Sequence, residues 1–163
     1  MKLSITPANL GTEADVIAFL ALLDAYARDP MGGGAPLPGE VKARLIPDLK
    51  ARMLRGDGLV LIARRGDKPV GLAVCLASYS TFLGRPVLNI HDLAVIPEER
   101  GAGVGRALLM AIDDAALARR CAKVTLEVRE DNARARQLYE RSGFVDYAPG
   151  GARTRTFFLE KKL

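Results

Sequence analysis

Arg100-Gly101-Ala102-Gly103-Val104-Gly105 lies between two segments of different hydrophobic period. Before it, Val87 to Val95 is an apolar run broken only by Asn89, His91 and Asp92, and Ile96-Pro97-Glu98-Glu99 makes a turn. After it, Val104, Leu108, Ala111, Ala115 and Ala118 fall on one face of a helix that runs to about Arg120. Strand, glycine-rich turn and helix in that order aim a row of unpaired backbone N–H groups at one place. Each glycine lets the backbone approach a ligand with no side chain between them. The helix start adds partial positive charge. The result is an anion site suited to a phosphate or pyrophosphate. Glycines at these positions would also serve a tight strand-to-helix turn with no ligand at all.

The spacing excludes two familiar phosphate loops. No Lys-Ser/Thr pair follows the glycines, as a P-loop requires, and the glycines do not have the dinucleotide fingerprint's spacing. The stretch instead resembles the Arg/Gln-x-x-Gly-x-Gly/Ala turn of the GNAT superfamily of N-acetyltransferases, which binds the pyrophosphate of acetyl-coenzyme A. Arg100, Gly103 and Gly105 fill its three defining positions. A second segment follows in the family's order: Asn132, Ala135, Leu138 and Tyr139, then Gly143-Phe144. It resembles the family's Asn-x-x-Ala-x-x-Leu-Tyr…Gly-Phe pattern.

Working outward, Leu3 to Thr6 reads as a first strand stopped by Pro7. Thr12 and Asp15 make a helix-start signal. Val16, Phe19, Leu20, Leu23 and Ala27 line one face of the first helix, which Asp29-Pro30 ends. Met31 to Pro36 is a glycine-rich loop. A second helix spans about Gly39 to Leu54, with a kink or split expected at Pro47. Leu59–Ala63 and Val70–Tyr79 form a hairpin about Arg65-Gly66-Asp67-Lys68, and Val87–Val95 is the next strand. Val124, Leu126 and Val128 alternate with polar residues as a further strand. A short helix covers about Arg134 to Ser142, and a last strand ends in Thr156-Phe157-Phe158-Leu159. The order β-α-α-β-β-β-α-β-α-β-β predicts an α/β chain of the α+β mixed-sheet kind. The resemblance implies the GNAT-type acyl-CoA N-acyltransferase fold, a central, mostly antiparallel sheet flanked by helices, as a single domain over residues 1–163.

Bulk properties set outer limits. At 163 residues one domain can bury a substantial core. Apolar content of 49% with 26% charged residues is ordinary for a globular chain. A net charge of +5 suits an anionic ligand. The 24 basic residues are dispersed, without the basic block and interleaved aromatics that would mark a nucleic-acid partner. Cys75 and Cys121 lack metal-ligand spacing and read as packing thiols, and one histidine gives no basis for a histidine zinc site. No metal is expected. Neither a leader at Met1–Asn9 nor an apolar run long enough to span a membrane is evident. A cytoplasmic protein is therefore expected.

The resemblance implies a direct transfer of acetyl from acetyl-CoA to an amine, and assigns residues to it. Gly101, Gly103 and Gly105, with Ala102, Val104 and Arg106, would form the pyrophosphate turn, and Arg100 would flank it. Leu93, Ala94 and Val95 would offer backbone contacts to the pantetheine arm and the thioester oxygen. Asn132 and Ala135 belong to the second coenzyme-contacting segment, where Asn132 reads equally as a helix N-cap. Tyr139 would donate a proton to, or stabilise, the departing thiolate. His91 stands two residues before Leu93, where some family members carry their base, and an imidazole titrates near neutrality. Asp92 and Glu127 are the alternates. Adjacent strand residues face opposite ways, so only one of His91 and Asp92 should reach the site.

Substrate recognition should lie in Arg28–Pro38 and Tyr147–Arg153, with Asp24, Asp29 and Glu40 as carboxylates able to attract an amine cation. The expected acceptor is a small-molecule amine. A protein or peptide amine is the alternative within the same chemistry, and a non-catalytic acyl-CoA-binding regulator is the alternative from another class. A monomer and a homodimer paired through Phe157-Phe158 fit the sequence equally.

Overall fold

The second strand, β2 (Gly58–Arg65), carries the unbroken apolar run Leu59 to Ala63 because both faces of that run are covered. Its alternating side chains serve two cores. Leu59, Leu61 and Ala63 face one, and Val60 and Ile62 the other. A computed structural model describes residues 1–148, 151 and 157–162. Its sheet has five strands in the order β1-β2-β3-β4-β5, with β1 at Leu3–Pro7, β3 at Lys68–Ser80, β4 at Arg85–Val95 and β5 at Lys123–Leu126. All pairs are antiparallel except β4–β5, which is parallel.

Helices close both faces. On one, α1 (Glu13–Arg28) brings Ala18, Phe19, Leu22 and Leu23 onto Val60, Ile62, Leu72 and Val74. Phe19 is fully buried there, worth about 2–3 kcal/mol relative to leaving its ring in water. The Thr12 hydroxyl caps α1 by accepting the Asp15 N–H at 3.4 Å, while the Asp15 carboxylate accepts the Asn9 N–H at 2.6 Å. The second helix on this face, α2 (Gly39–Arg55), runs through Pro47 as one helix, so of the expected kink or split the split does not occur. Pro47 withholds one N–H from the Ala43 carbonyl, and Ala43 is exposed, so water can take that bond.

On the other face α3 (Val104–Ala118) packs Val104, Leu108, Leu109, Ile112 and Ala116 onto Ala73, Cys75, Leu88 and Ile90. The sequence pattern put Val104, Leu108, Ala111, Ala115 and Ala118 on one face; Ala111 and Ala115 pack against this core partly buried, and Ala118 is exposed. The buried stripe is rotated toward the bulkier Leu109 and Ile112, since larger side chains gain more by burial. Helix α4 (Ala133–Arg141) follows β5.

The two strands expected after α4 are not seen among the described residues. Residues 144–148 and 157–162 lie outside any strand, and Phe157, Phe158 and Leu159 are exposed. Thr156 lies outside the described residues. A Phe-Phe-Leu run has strand propensity, but that propensity expresses itself only through pairing and packing partners. Among the described residues no helix is long and apolar enough to cross a membrane, and no cluster of metal-ligating side chains occurs.

Candidate active site

A bulge in β4 opens the site. Cys75 pairs with Ile90 and Val74 with Asp92, so His91 is an extra residue without a partner across the ladder. On the other side, β5 pairs with β4 only as far as Leu126 opposite Ile90. From Asp92 onward β4 therefore has a neighbour on one edge only. Val95 turns its carbonyl to the open edge, where Arg100 Nε donates to it at 2.9 Å, and the next residue, Ile96, donates its N–H to Val70 at 3.0 Å. Backbone direction alternates along a strand, so Leu93 also presents its N–H and C=O to the gap, while Ala94 spends its own on β3.

The gap widens into a cavity of about 950 Å³ between the end of β4, the start of α3, α4 and the last turns of α1. At one end stands the glycine turn. Gly101 and Gly103 have φ of 85° and 83°, left-handed values that a side chain would strain. Ala102 gives its N–H to the Glu99 carbonyl at 3.3 Å. The N–H groups of Gly101, Gly103, Val104, Gly105 and Arg106 have no partner among the described residues. Unpaired N–H groups gathered at a helix start in this way suit an anion. Gly105 meets another constraint: a Cβ there would lie 2.9 Å from Leu138 Cδ2, so the absent side chain lets α3 and α4 approach.

Arg100 serves this turn from outside. Its Nη2 bonds Asp29 Oδ2 at 2.6 Å while its Nε holds the Val95 carbonyl. The guanidinium beside Asp29 holds that carboxyl below the usual range. The free cations around the cavity are Arg106, Arg134 and Arg141, which have no ion-pair partner among the described residues.

Opposite β4, Asn132 caps α4 by accepting the Ala135 N–H at 3.2 Å, and both residues line the cavity. Tyr139 lines it one turn further on, with its ring edge-on to Phe144 at 5.7 Å. Burial, with Tyr26 as a second cause, pushes the Tyr139 hydroxyl up to about 12. It therefore keeps its proton at any physiological pH.

The strand residues proposed for the base sit apart from the cavity lining. His91 is exposed on the bulge. Asp92 is half-buried opposite Val74, on the α1 side of the sheet. Burial raises its pKa, and the neighbouring His91 charge opposes that rise. Glu127 accepts from Asn89 Nδ2 at 3.3 Å outside the cavity. Ala102 and Val104 do not line the cavity, and the Val104 side chain is buried in the core.

Two expectations about the acceptor end change. Asp24 is held by Lys42 at 2.7 Å, Arg28 at 2.9 Å and the Leu37 N–H at 3.0 Å, and Lys42 and Arg28 lower its pKa to about 2. With Asp29 held by Arg100, neither is a free carboxylate for an amine, and Glu40 lies outside the cavity. Of the Tyr147–Arg153 connection, Pro149, Gly150, Ala152 and Arg153 lie outside the described residues, and Tyr147 stacks under Lys123. Sequence reading missed the wall that α1 provides, Leu22, Ala25 and Tyr26; Met31, which continues it, falls within the expected Arg28–Pro38 loop. The spacing of the α1 residues is that of an ordinary amphipathic helix, so no local signal set them apart from core.

The acetyltransferase (GNAT) family model matches residues 19–144. An uncharacterized N-acetyltransferase of Bacillus subtilis is 31% identical over 98 residues, 60% of this chain and 66% of that protein. A mycothiol acetyltransferase of Beutenbergia cavernae is 35% identical over 145 residues, 85% of this chain and 44% of that protein. The matches thus span between under half and just under two thirds of these relatives' own lengths. Among solved structures, a putative acetyltransferase from Arthrobacter superposes with a TM-score of 0.78 at 27% identity, covering 97% of this chain and 95% of that one.

Proposed function

Because the chain belongs to the acetyltransferase (GNAT) family, we propose that it transfers the acetyl group of acetyl-CoA directly to the primary amine of a small molecule. One observation carries the reading. One cavity reaches from the glycine turn, whose backbone N–H groups have no partner among the described residues, to an open strand edge at Leu93 and a protonated Tyr139.

Acetyl-CoA supplies an activated acyl group on sulfur. The residues present suit its anionic end: the N–H groups of Gly101, Gly103, Val104, Gly105 and Arg106 face the pyrophosphate, and Arg106, Arg134 and Arg141 offset its charge. Gly103 has open space where its Cβ would be, leaving room for the ligand's approach. Leu93 gives an N–H to the carbonyl oxygen that gains charge as the amine attacks. The new bond joins amine nitrogen to acetyl carbon, the carbon–sulfur bond breaks, and the electron pair leaves on sulfur.

Tyr139 acts on that sulfur as a hydrogen-bond donor. A thiol ordinarily titrates near 8.5, so complete transfer from a hydroxyl at about 12 would be uphill by about 5 kcal/mol. The proton the amine loses goes toward Asp92, whose burial makes it more basic than an ordinary carboxylate. Asp92 is outside the cavity lining and acts through a neighbouring hydroxyl or water. His91 tunes it by charge. An acyl-cysteine route has no support from Cys75, which is buried with its thiol pushed up to about 12 by desolvation.

Thiol release from acetyl-CoA, measured with the full chain and pooled amines, tests the proposal. Amine-dependent release with one acetylated product is expected. Tight acetyl-CoA binding without release from any pool would overturn it.

A further inference from the structure

Resting on the proposed acetyl transfer, we propose that the acceptor is a primary amine on an apolar or aromatic body with no second cationic charge. Tyr26 is the residue that selects it. The α1 side of the cavity is lined by Leu22, Ala25, Tyr26 and Met31, with Arg28 and Asp29 beside them, and its one carboxylate, Asp29, is held by Arg100. Tyr26 is half-buried, and its hydroxyl has no hydrogen-bond partner among the described residues. Tyr26 and Tyr139 are close enough that ionisation of one hinders the other.

Charge decides the class. A polyamine or other polycation needs carboxylates to replace the water it loses, since an unpaired desolvated ammonium is costly. The cavity lining holds two carboxylates, and both are engaged: Asp29 with Arg100 at 2.6 Å and Glu99 with Arg65 at 2.9 Å. Asp24 beside them is held by Lys42 and Arg28. Five arginines line the same cavity: Arg28, Arg100, Arg106, Arg134 and Arg141. Asp92 is needed for the proton and is itself desolvated. The residues outside the described set contribute no acidic side chain, since the charged ones among them are Arg153 and Arg155. Arg106, Arg134 and Arg141 belong to the coenzyme end, and Arg28 and Arg100 are paired. A second ammonium would thus find no free carboxylate, whereas an aryl or alkyl group would meet methyls and the Tyr26 ring.

The test compares kcat/KM for 2-phenylethylamine and spermidine at saturating acetyl-CoA, with the full chain. At least a tenfold preference for phenylethylamine is expected. Tyr26→Ala should raise KM for phenylethylamine several-fold and leave KM for acetyl-CoA near its parent value. Met31→Asp, on the loop after α1 and outside both core clusters, should shift the ratio toward spermidine. A parent enzyme that prefers spermidine, or a Met31→Asp variant with an unchanged ratio, would overturn this assignment while leaving the proposed function intact. Binding of acetyl-CoA with no acetylation of any amine would overturn both.

Discussion

Arg100 and Asp29, 71 residues apart in sequence, meet at 2.6 Å and tie the end of α1 to the turn ahead of α3. The same guanidinium holds the Val95 carbonyl, so three elements around the cavity converge on one side chain.

Arg100→Ala should therefore act on coenzyme binding by loosening the turn. Loss of one charge-assisted hydrogen bond, roughly 1.5–3 kcal/mol, predicts about a tenfold or greater rise in KM for acetyl-CoA. The pair also has a pH signature. Asp29 has a lowered pKa, so its contribution to stability is complete above the ordinary carboxylate range and is lost as pH falls through the lowered value. Arg100→Ala should flatten that acid loss in a melting-temperature series.

Gly103 has φ of 83° with nothing within 4 Å of where a Cβ would stand, so a substitution there meets strain without a clash. Gly103→Ala should cost about 1–2 kcal/mol in urea unfolding. It should also weaken acetyl-CoA binding, because relief of the strain re-aims the Val104 and Gly105 N–H groups. An unchanged affinity would remove the cradle from the argument.

Tyr139→Phe keeps the edge-on contact with Phe144 and deletes the hydroxyl. If the hydroxyl supports the leaving sulfur, kcat should fall about 10²-fold with KM for acetyl-CoA little changed. Because the hydroxyl titrates near 12, the parent's pH–rate profile should show no alkaline decline from Tyr139 across the working range.

Asp92 carries the opposite stability sign to Asp29. Burial raises its pKa, so the stability it allows is complete below the unfolded carboxylate's pKa and is lost as pH rises through the raised value. Asp92→Asn should leave the melting temperature at pH 7 equal to or above the parent's while kcat collapses. His91→Gln should keep an acidic limb in the rate profile and move it to higher pH, because the His91 charge lowers the Asp92 pKa. Loss of that limb in His91→Gln would return the base to His91.

The glycine turn, the strand before it and the helix after it were legible in residues 87–118, because local period and backbone permissiveness fix a strand–turn–helix unit. Asn132 and Tyr139 were legible by spacing within one short helix. The faces were harder. Ala118 and Ile112 both fit a helical stripe, and only the folded core shows that Ile112 is buried while Ala118 is exposed.

What the sequence determined by itself is the order of elements from β1 to α4, the family pattern and the glycine turn at the start of α3, all set by interactions within a few residues. Tertiary structure alone decided that Arg100 serves Asp29, that Asp24 is neutralised by Lys42, and that Tyr26 and Tyr139 line one cavity. It also decided that the bulge at His91 puts Asp92 on the α1 side. Each of these depends on which residues distant in sequence end within a few ångströms of each other. Sheet register, bulge placement and helix rotation set those distances, and a periodic pattern specifies a face without naming its partner.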